Sequence, residues 1–347
     1  KGEIYMPLDK FTPTDYVGVF EKIEPITTVF GDVFFKNINA MVEEKEEFDI
    51  VKGGQSIAPF VKRWNFTGAK VVTREGYTMG DYSAEHIALR RVLKVDDIVK
   101  RLAGENLLNP MSPEERAIQM LAKDYVELDQ MITRREEVMR SQALFQGKVV
   151  MNIEGQTVEV DFNQTHFETL TGTNKWDNAA SNPFKDLDRW VETIQKDSGM
   201  TPDVAIMAPD VARALMDNEK IMKQLDINNY DVGVIAPEVL KATGLTYIGK
   251  HSLTGLSLYR HAGQYRDNDG LIKPFCPAGK ILIGSTGART SMNYGRIIFM
   301  KDPITYNAPR VARDFINEDA NIRYFELNSR PLPFIHDTDA FFIATVI

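Results

Sequence analysis

SPEERAIQMLAKDYVELDQMITRREEVMRSQALFQG, residues 112–147, is the stretch around which the chain is organised. Ser112 suits a helix cap, Pro113 fits the first turn, and Glu115 completes a Ser-x-x-Glu capping box. Apolar residues then recur at Ile118, Leu121, Tyr125, Leu128, Ile132, Met139 and Ala143, mostly three or four apart. No glycine interrupts them before Gly147. The pattern predicts a helix of about 33 residues, roughly 50 Å long at the usual rise per residue. Helices in globular proteins average about three turns. The opposite face carries Lys123, Glu127, Arg134, Glu137 and Arg140. A coiled coil is the plain alternative, but the apolar stripe does not keep a strict heptad. A long spine packed against a sheet fits better.

Downstream, Val149, Met151 and Ile153 alternate, Glu154-Gly155 allows a turn, and Val158, Val160 and Phe162 alternate back, which reads as a hairpin. After a polar stretch, Pro183 opens a helix carrying Leu187, Trp190, Val191 and Ile194, with Gly199 beyond its end. Residues 203–260 mix strand and helix. Residues 204–207 form a buried strand, 209 to about 221 a helix, 232–240 a further helix, and 247–248 and 256–259 strands. Residues 261–279 are a polar excursion before a strand at 280–284. Residues 294–347 are strand-rich, and the apolar run 340–347 reads as a central strand or one paired late in folding, because such a run left exposed would aggregate.

Upstream, residues 86–109 read as an amphipathic helical region, with Ile87, Leu89, Val92, Leu93 and Val95 beside Arg90, Arg91 and Lys94. Residues 41–85 read as one long extended hairpin or loop. Its first part holds Glu43, Glu44, Glu46 and Glu47, then Phe48 and Ile50 alternating with Asp49, then Gly53-Gly54 at a tight turn. A loop of this length is unusual without a function or a partner. Residues 1–40 are broken by Pro7, Pro13 and Pro25 and read as an arm lying over another surface.

Charge and composition exclude several classes. Formal net charge is −8, from 49 acidic and 41 basic residues, which is no footprint for wrapping nucleic acid. Cys276 is the only cysteine, so neither an internal disulfide nor a four-cysteine zinc site can form. No apolar run approaches the roughly 20 residues that span a bilayer. The start Lys1-Gly2-Glu3 has no initiator methionine and no apolar signal segment, so a preceding piece is expected to have been removed or to lie outside this numbering.

Catalytic motifs fail on their details. Residues 244–251 have the spacing of a phosphate-binding loop, but His251 stands where the magnesium-holding hydroxyl belongs. His336 with Asp337 and Asp339 reads as a surface turn, and Asp267-Asn268-Asp269-Gly270 as a turn without the later ligands of a calcium loop. Residues 284–287 lack the Gly-x-Ser-x-Gly order of a nucleophile elbow. No cofactor, metal or catalytic residue is assigned. Arg90-Arg91 and Arg134-Arg135 are short basic pairs rather than a phosphate-binding array. In an assembling protein they are candidate intersubunit donors to the acidic residues at 43–47, with Gly53 and Gly54 at a bend of the same contact.

Several separated pieces carry a family likeness. They are Leu89-Arg90-Arg91, residues 147–161 with Thr157-Val158-Glu159-Val160-Asp161, and Thr173-Asn174-Lys175-Trp176. Residues 281–295 add Gly284-Ser285-Thr286-Gly287-Ala288-Arg289 and Tyr294-Gly295, and 329–347 add Ser329-Arg330-Pro331-Leu332 and Asp337-Thr338-Asp339-Ala340-Phe341. In their order and spacing the chain resembles the major capsid proteins of lambda-like tailed phages, the capsid protein E family. The resemblance implies an α+β, HK97-like major capsid protein fold. Its parts would be an N-terminal arm at 1–40, an extended E-loop at 41–85, a peripheral domain at 86–184 with a spine helix at about 112–146, an axial domain at 185–298, and peripheral return strands at 299–347. It also implies many copies of the chain joined as pentamers and hexamers in an icosahedral head around double-stranded DNA, without sequence-specific recognition. The chain would reside in the virion, and in the host cytoplasm during assembly, and would work with a portal, a scaffolding protein and a decoration protein. A shell of related fold that encapsulates protein cargo is the alternative, and a nucleotide- or metal-dependent enzyme centred on Lys250, His251 and His261 is the third reading.

Overall fold

The computed structural model describes residues 28–40, 46–51, 77–82, 84–100, 112–153, 156–218, 245–299, 305–317 and 322–347. The long helix runs Pro113–Gln146, 34 residues. Its capping box is formed: the Glu115 N–H donates to Ser112 Oγ at 3.2 Å, and the Ser112 N–H to Glu115 Oε2 at 2.8 Å. It ends on Gly147, whose φ of 67° lies in the left-handed region that favours glycine.

This helix serves two apolar cores. Its last turns put Met139, Ala143, Leu144 and Phe145 into the larger one. There a six-stranded sheet runs in the order Phe167–Thr169, Phe341–Thr345, Lys280–Gly284, Val204–Met207, Ser257–His261, Leu245–Lys250. The apolar terminal run is held between strands on both sides, antiparallel to Lys280–Gly284 and parallel to Phe167–Thr169. Helices Pro183–Ser198 and Pro209–Asp217 bury apolar stripes against this sheet; Trp190 stacks on Trp176 and on Phe342 at ring distances of 5.9 and 5.5 Å. Each such side chain contributes about 1.5–3 kcal/mol through burial.

Residues 28–35 are rich in apolar side chains, and they insert Val29, Phe30, Val33, Phe34 and Phe35 into this same core. The short helix Val29–Val33 buries Phe30, which meets Phe145 edge-on at 5.8 Å. The chain then runs as Asn37–Ala40 beside Thr290–Tyr294, which pairs in turn with Pro331–Ile335.

The earlier part of the long helix lies on one face of a three-stranded antiparallel sheet, Val311–Asn317, Ile322–Ser329 and Ile87–Lys94. Leu121, Leu128 and Ile132 meet Leu93, Phe325 and Leu327 in the second, smaller core. Here the expectation of a helix from residue 86 is corrected. Residues Ile87–Lys94 form a strand, and only Val95–Val99 is helical. Ile87, Leu89 and Leu93 alternate onto the helix side while Ile322–Ser329 takes the strand's backbone bonds, so tertiary pairing overrides the local helical spacing. Residues 101–109 of that expectation lie outside the described residues.

The smaller ribbons include Lys148–Ile153 with Gln156–Asp161, Gln264–Arg266 with Ile272–Pro274, and Glu46–Val51 with Tyr77–Tyr82. The last runs in register from Glu46↔Tyr82 to Val51↔Tyr77. Gly53, Gly54, Glu43, Glu44 and the expected helix at 232–240 lie outside the described residues.

Candidate functional site

The three-stranded sheet has two unlike faces. Strand geometry sends alternate residues to opposite sides. One side carries Leu89, Leu93, Phe325 and Leu327 toward the long helix, with Arg91 bound to Glu127 at 2.9 Å. The other side has no layer over it among the described residues, and it is built around a ladder of cations and rings. Arg90 pairs with Glu326, and its guanidinium lies 5.4 Å from the Phe315 ring and 5.1 Å from Tyr324. Arg313 lies 4.7 Å from Phe315 and 5.1 Å from Phe299, and it reaches Glu326 at 3.9 Å. Phe315 and Tyr324 stack at 5.1 Å. Exposed cation–π contacts are worth about 0.5–1 kcal/mol each. The Arg90 and Arg313 side chains remain 53% and 37% exposed, so the ladder is presented to solvent. Lys94 shares this face, so that among the described residues three cations meet the Glu326 carboxylate.

Between the two cores the long helix carries a charged network. Arg310 donates to Asp129 at 2.7 Å, Glu136 at 2.6 Å and Thr133 at 3.2 Å. Glu137 accepts the N–H groups of Phe30 at 2.7 Å and Gly31 at 3.3 Å, and Arg140 at 3.2 Å. Burial pushes the Glu137 carboxyl up, against the opposing pull of Arg140 and the two N–H groups. Burial and the neighbouring Glu136 push Tyr294 up to about 12. The network ties residues 28–35 and the segment before Val311–Asn317 to the same helix.

A second set of bonds holds the loops at the sheet ends. Asp203 accepts the Thr286 N–H at 2.8 Å and also its hydroxyl. Arg289 grips Asp337 with Nη2 at 2.6 Å and its backbone N–H at 2.9 Å. Burial alone would raise Asp337, but the Arg289 bonds overcome it and hold the carboxyl below its usual value. Arg330 donates to the carbonyls of Ala84 and Arg296 at 3.0 and 2.9 Å. The surface-turn expectation for 336–339 is thereby corrected: Asp337 is buried, and His336 Nε2 pairs with Ser291 Oγ at 3.1 Å.

The basic pairs singled out in sequence are partly used within the chain. Arg90 and Arg91 are met by their own chain's Glu326 and Glu127. Arg134 is exposed beside Gln130, and Arg135 binds Asn268 at the turn of the ribbon 264–274. Glu46 and Glu47 stand at the start of their ribbon strand. Sequence reading missed Arg310, Arg313, Phe315, Tyr324 and Glu326. A signal was present: Arg313-x-Phe315 and Tyr324-x-Glu326 have the two-residue spacing that puts each pair on one strand face.

The catalytic decoys resolve into structure. Leu245–Lys250 is an edge strand, not a loop entering a helix. His251 is buried with its ring 4.6 Å from Phe184, and His261 is buried against Phe30. Cys276 is fully buried, and burial pushes its thiol up, away from the reactive thiolate. Asp267-Asn268-Asp269-Gly270 turns with Gly270 at φ 78°. Among the described residues no group of three or more His, Cys, Asp or Glu is placed to hold a metal, and no helix is long and apolar enough to cross a membrane.

A family model described as phage major capsid protein E matches residues 15–346. The chain is similar to the major capsid protein of enterobacteria phage P21 and to the P21 prophage-derived major head protein of Escherichia coli O6:H1 strain CFT073. Each is 23% identical over 293 residues, covering 83% of this chain and 84% of the relative. Among solved structures, one described as a prophage capsid protein of E. coli CFT073 aligns with a TM-score of 0.73 at 18% identity, covering 97% of this chain and 99% of that one. A phage-related protein of Bordetella bronchiseptica RB50 aligns with a TM-score of 0.54 at 12% identity, covering 95% and 96%. The fold is thus the α+β, HK97-like one.

Proposed function

The chain belongs to the phage major capsid protein E family, and from that premise we propose that it joins many copies of itself, as pentamers and hexamers, into an icosahedral head enclosing double-stranded DNA. Membership makes it a structural protein of the virion rather than an enzyme. In this reading residues 1–40 are the N-terminal arm, 41–85 the E-loop, 86–184 and 299–347 the peripheral domain with the long helix as its spine, and 185–298 the axial domain. A portal, a scaffolding protein and a decoration protein belong to the same reading as assembly partners.

The observation that supports it most is the ribbon Glu46–Val51 with Tyr77–Tyr82, which pairs with no other described strand. A two-stranded ribbon is marginal in water by itself. A neighbouring copy that packed on such a ribbon would stabilise it, as the repeated contacts of a closed shell allow. Negative-stain microscopy of the purified protein with its assembly partners tests this. Capsomers or shells are expected, with nuclease-protected DNA in isolated particles. A protein that stays monomeric under all such conditions overturns the reading. Particles filled with protein and free of DNA would favour an encapsulating shell instead.

A further inference from the structure

Three segments that lie far apart in the chain meet at Arg330. It stands at the corner where strand Ile322–Ser329 ends and strand Pro331–Ile335 begins, so it joins the sheet of the smaller lobe to a strand of the larger core. Its carbonyl accepts the Gly295 N–H at 2.8 Å. Its guanidinium reaches across to two further carbonyls. Nε and Nη2 donate to Ala84 at 3.0 and 2.7 Å, and Nη1 donates to Arg296 at 2.9 Å. Arginine presents its donors in a rigid fork, so two of them on one carbonyl fix its direction as well as its distance. Ala84 is buried, and a Cβ on Gly295 would stand only 3.3 Å from the Ala84 Cβ and from Arg330 Cβ and Nε. Ordinary carbon contacts are about 3.5–4.0 Å, so glycine at 295 lets the three segments close up.

This knot holds the base of residues 41–85. The link between the ribbon strand Tyr77–Tyr82 and the sheet strand Ile87–Lys94 runs through Ala84, Glu85 and His86. On one side Arg330 grips it, and His86 Nε2 pairs with Asn328 Oδ1 at 3.0 Å. On the other side Glu85, His86 and Ile87 line a cleft of about 340 Å³, whose far wall includes Arg135, Gln142 and Asn152. The base is thus fixed by a few bonds and has room to move if they are lost. A strand of six residues is about 20 Å long, so a tilt of about 10° at its base carries its far end by about 3.5 Å.

We propose that Arg330 is a positioning residue for assembly, which sets the direction in which residues 41–83 leave the subunit and so the angle at which copies join. This rests on the self-assembly reading above. Closed assemblies form only at particular rotations between neighbours, so an error repeated at every contact ends in open or irregular products. The bonds to Ala84 and Arg296 go to backbone carbonyls, so they fix the path of the chain whatever side chains the loop carries.

The experiment compares the full chain with Arg330→Met, which keeps a long apolar stem and loses every donor, and with Arg330→Lys, which keeps a single donor group. Unassembled Arg330→Met subunits are expected to keep one cooperative thermal transition and to exchange amides faster at Glu85 and His86, with Val204–Met207 still protected. Closed, uniform particles in negative-stain microscopy are expected to fall by about tenfold, replaced by open sheets and mixed diameters, since repeated contacts lose avidity when their geometry misses. Arg330→Lys should recover part of the yield. A covalent staple then restores the base without the guanidinium: Ala84→Cys with Gly295→Cys in the Arg330→Met chain. The 3.3 Å between the two Cβ positions is slightly short of the usual disulfide spacing of about 3.5–4.5 Å, and Cys276 is buried out of the way. Oxidised staple subunits, with the bond confirmed by mass spectrometry, should form closed particles, and the same subunits kept reduced should not. Unchanged particle yield and diameter in Arg330→Met overturn the proposal. So does loss of cooperative unfolding in that variant, which would make the arginine a stability element only. Oxidised subunits that close no better than reduced ones overturn it as well. If the unaltered chain forms no particles, the functional reading beneath the proposal fails instead.

Discussion

In the six-stranded sheet, Val204–Met207 is buried at every position and Lys280–Gly284 at four of five. In the three-stranded sheet, Ile87–Lys94 buries only Leu93 fully, and its outward positions hold Arg90, Val92 and Lys94. Layers on both faces produce continuous apolar strands, whereas a sheet covered on one side alternates. One helix supports both, ending in the first core and passing through the second. The difference separates two tasks. The larger core supplies most of the apolar burial, and the smaller lobe leaves one side of its sheet uncovered among the described residues.

The largest expected effect is at the shared helix's buried end. Phe145→Ala removes a fully buried ring and should cost about 4 kcal/mol in urea unfolding of the subunit. An equal loss of hydrogen-exchange protection in both sheets would mean that the two cores unfold as one. Arg310→Ala should cost about 3 kcal/mol, because the buried Glu136 loses its nearest cation and keeps only the longer contact to Arg140; Arg310→Lys, lacking the forked geometry, should recover only part. Leu128→Ala in the smaller core should cost about 2–3 kcal/mol. Its exchange signature is expected in Ile322–Ser329 and Ile87–Lys94, with Val204–Met207 still protected; loss across the large sheet would erase the distinction.

A weaker effect is pH-dependent. Asp337 has a folded pKa below its usual value. Its bond with Arg289 therefore adds stability that is complete above the unfolded carboxylate pKa of about 3.9 and is lost as pH falls through the folded value. Asp337→Asn should flatten that part of the acid stability curve, measured by urea unfolding between about pH 2 and 5. Smallest is the helix entrance: Ser112→Ala should cost about 1 kcal/mol, with fraying confined to the first turns.

Much of the larger lobe was legible because its signals are local. The box at Ser112 and Glu115, the stops at Gly147 and Gly199, and the apolar strands at 204–207 and 280–284 each state their structure within a few residues. The smaller lobe was read less well. Ile87–Lys94 mixes a two-residue period with extra apolar residues on its open face, and only its partner Ile322–Ser329, more than 200 residues away, makes it a strand. The candidate surface was half visible. Arg90 was named from its basic pair, but the rings and the carboxylate that position it lie on two distant strands.

The sequence by itself determined the long helix and its ends, the strand character of the apolar runs, and the family, since caps, periodicity and ordered motifs are properties of neighbouring residues. Only the tertiary structure decided that one helix serves two cores, that Glu137 holds residues 28–35, and that Arg90 and Arg313 share Glu326 on an open face. Those facts depend on which strands pair and in what register, and register is a long-range property set by burial across the whole chain.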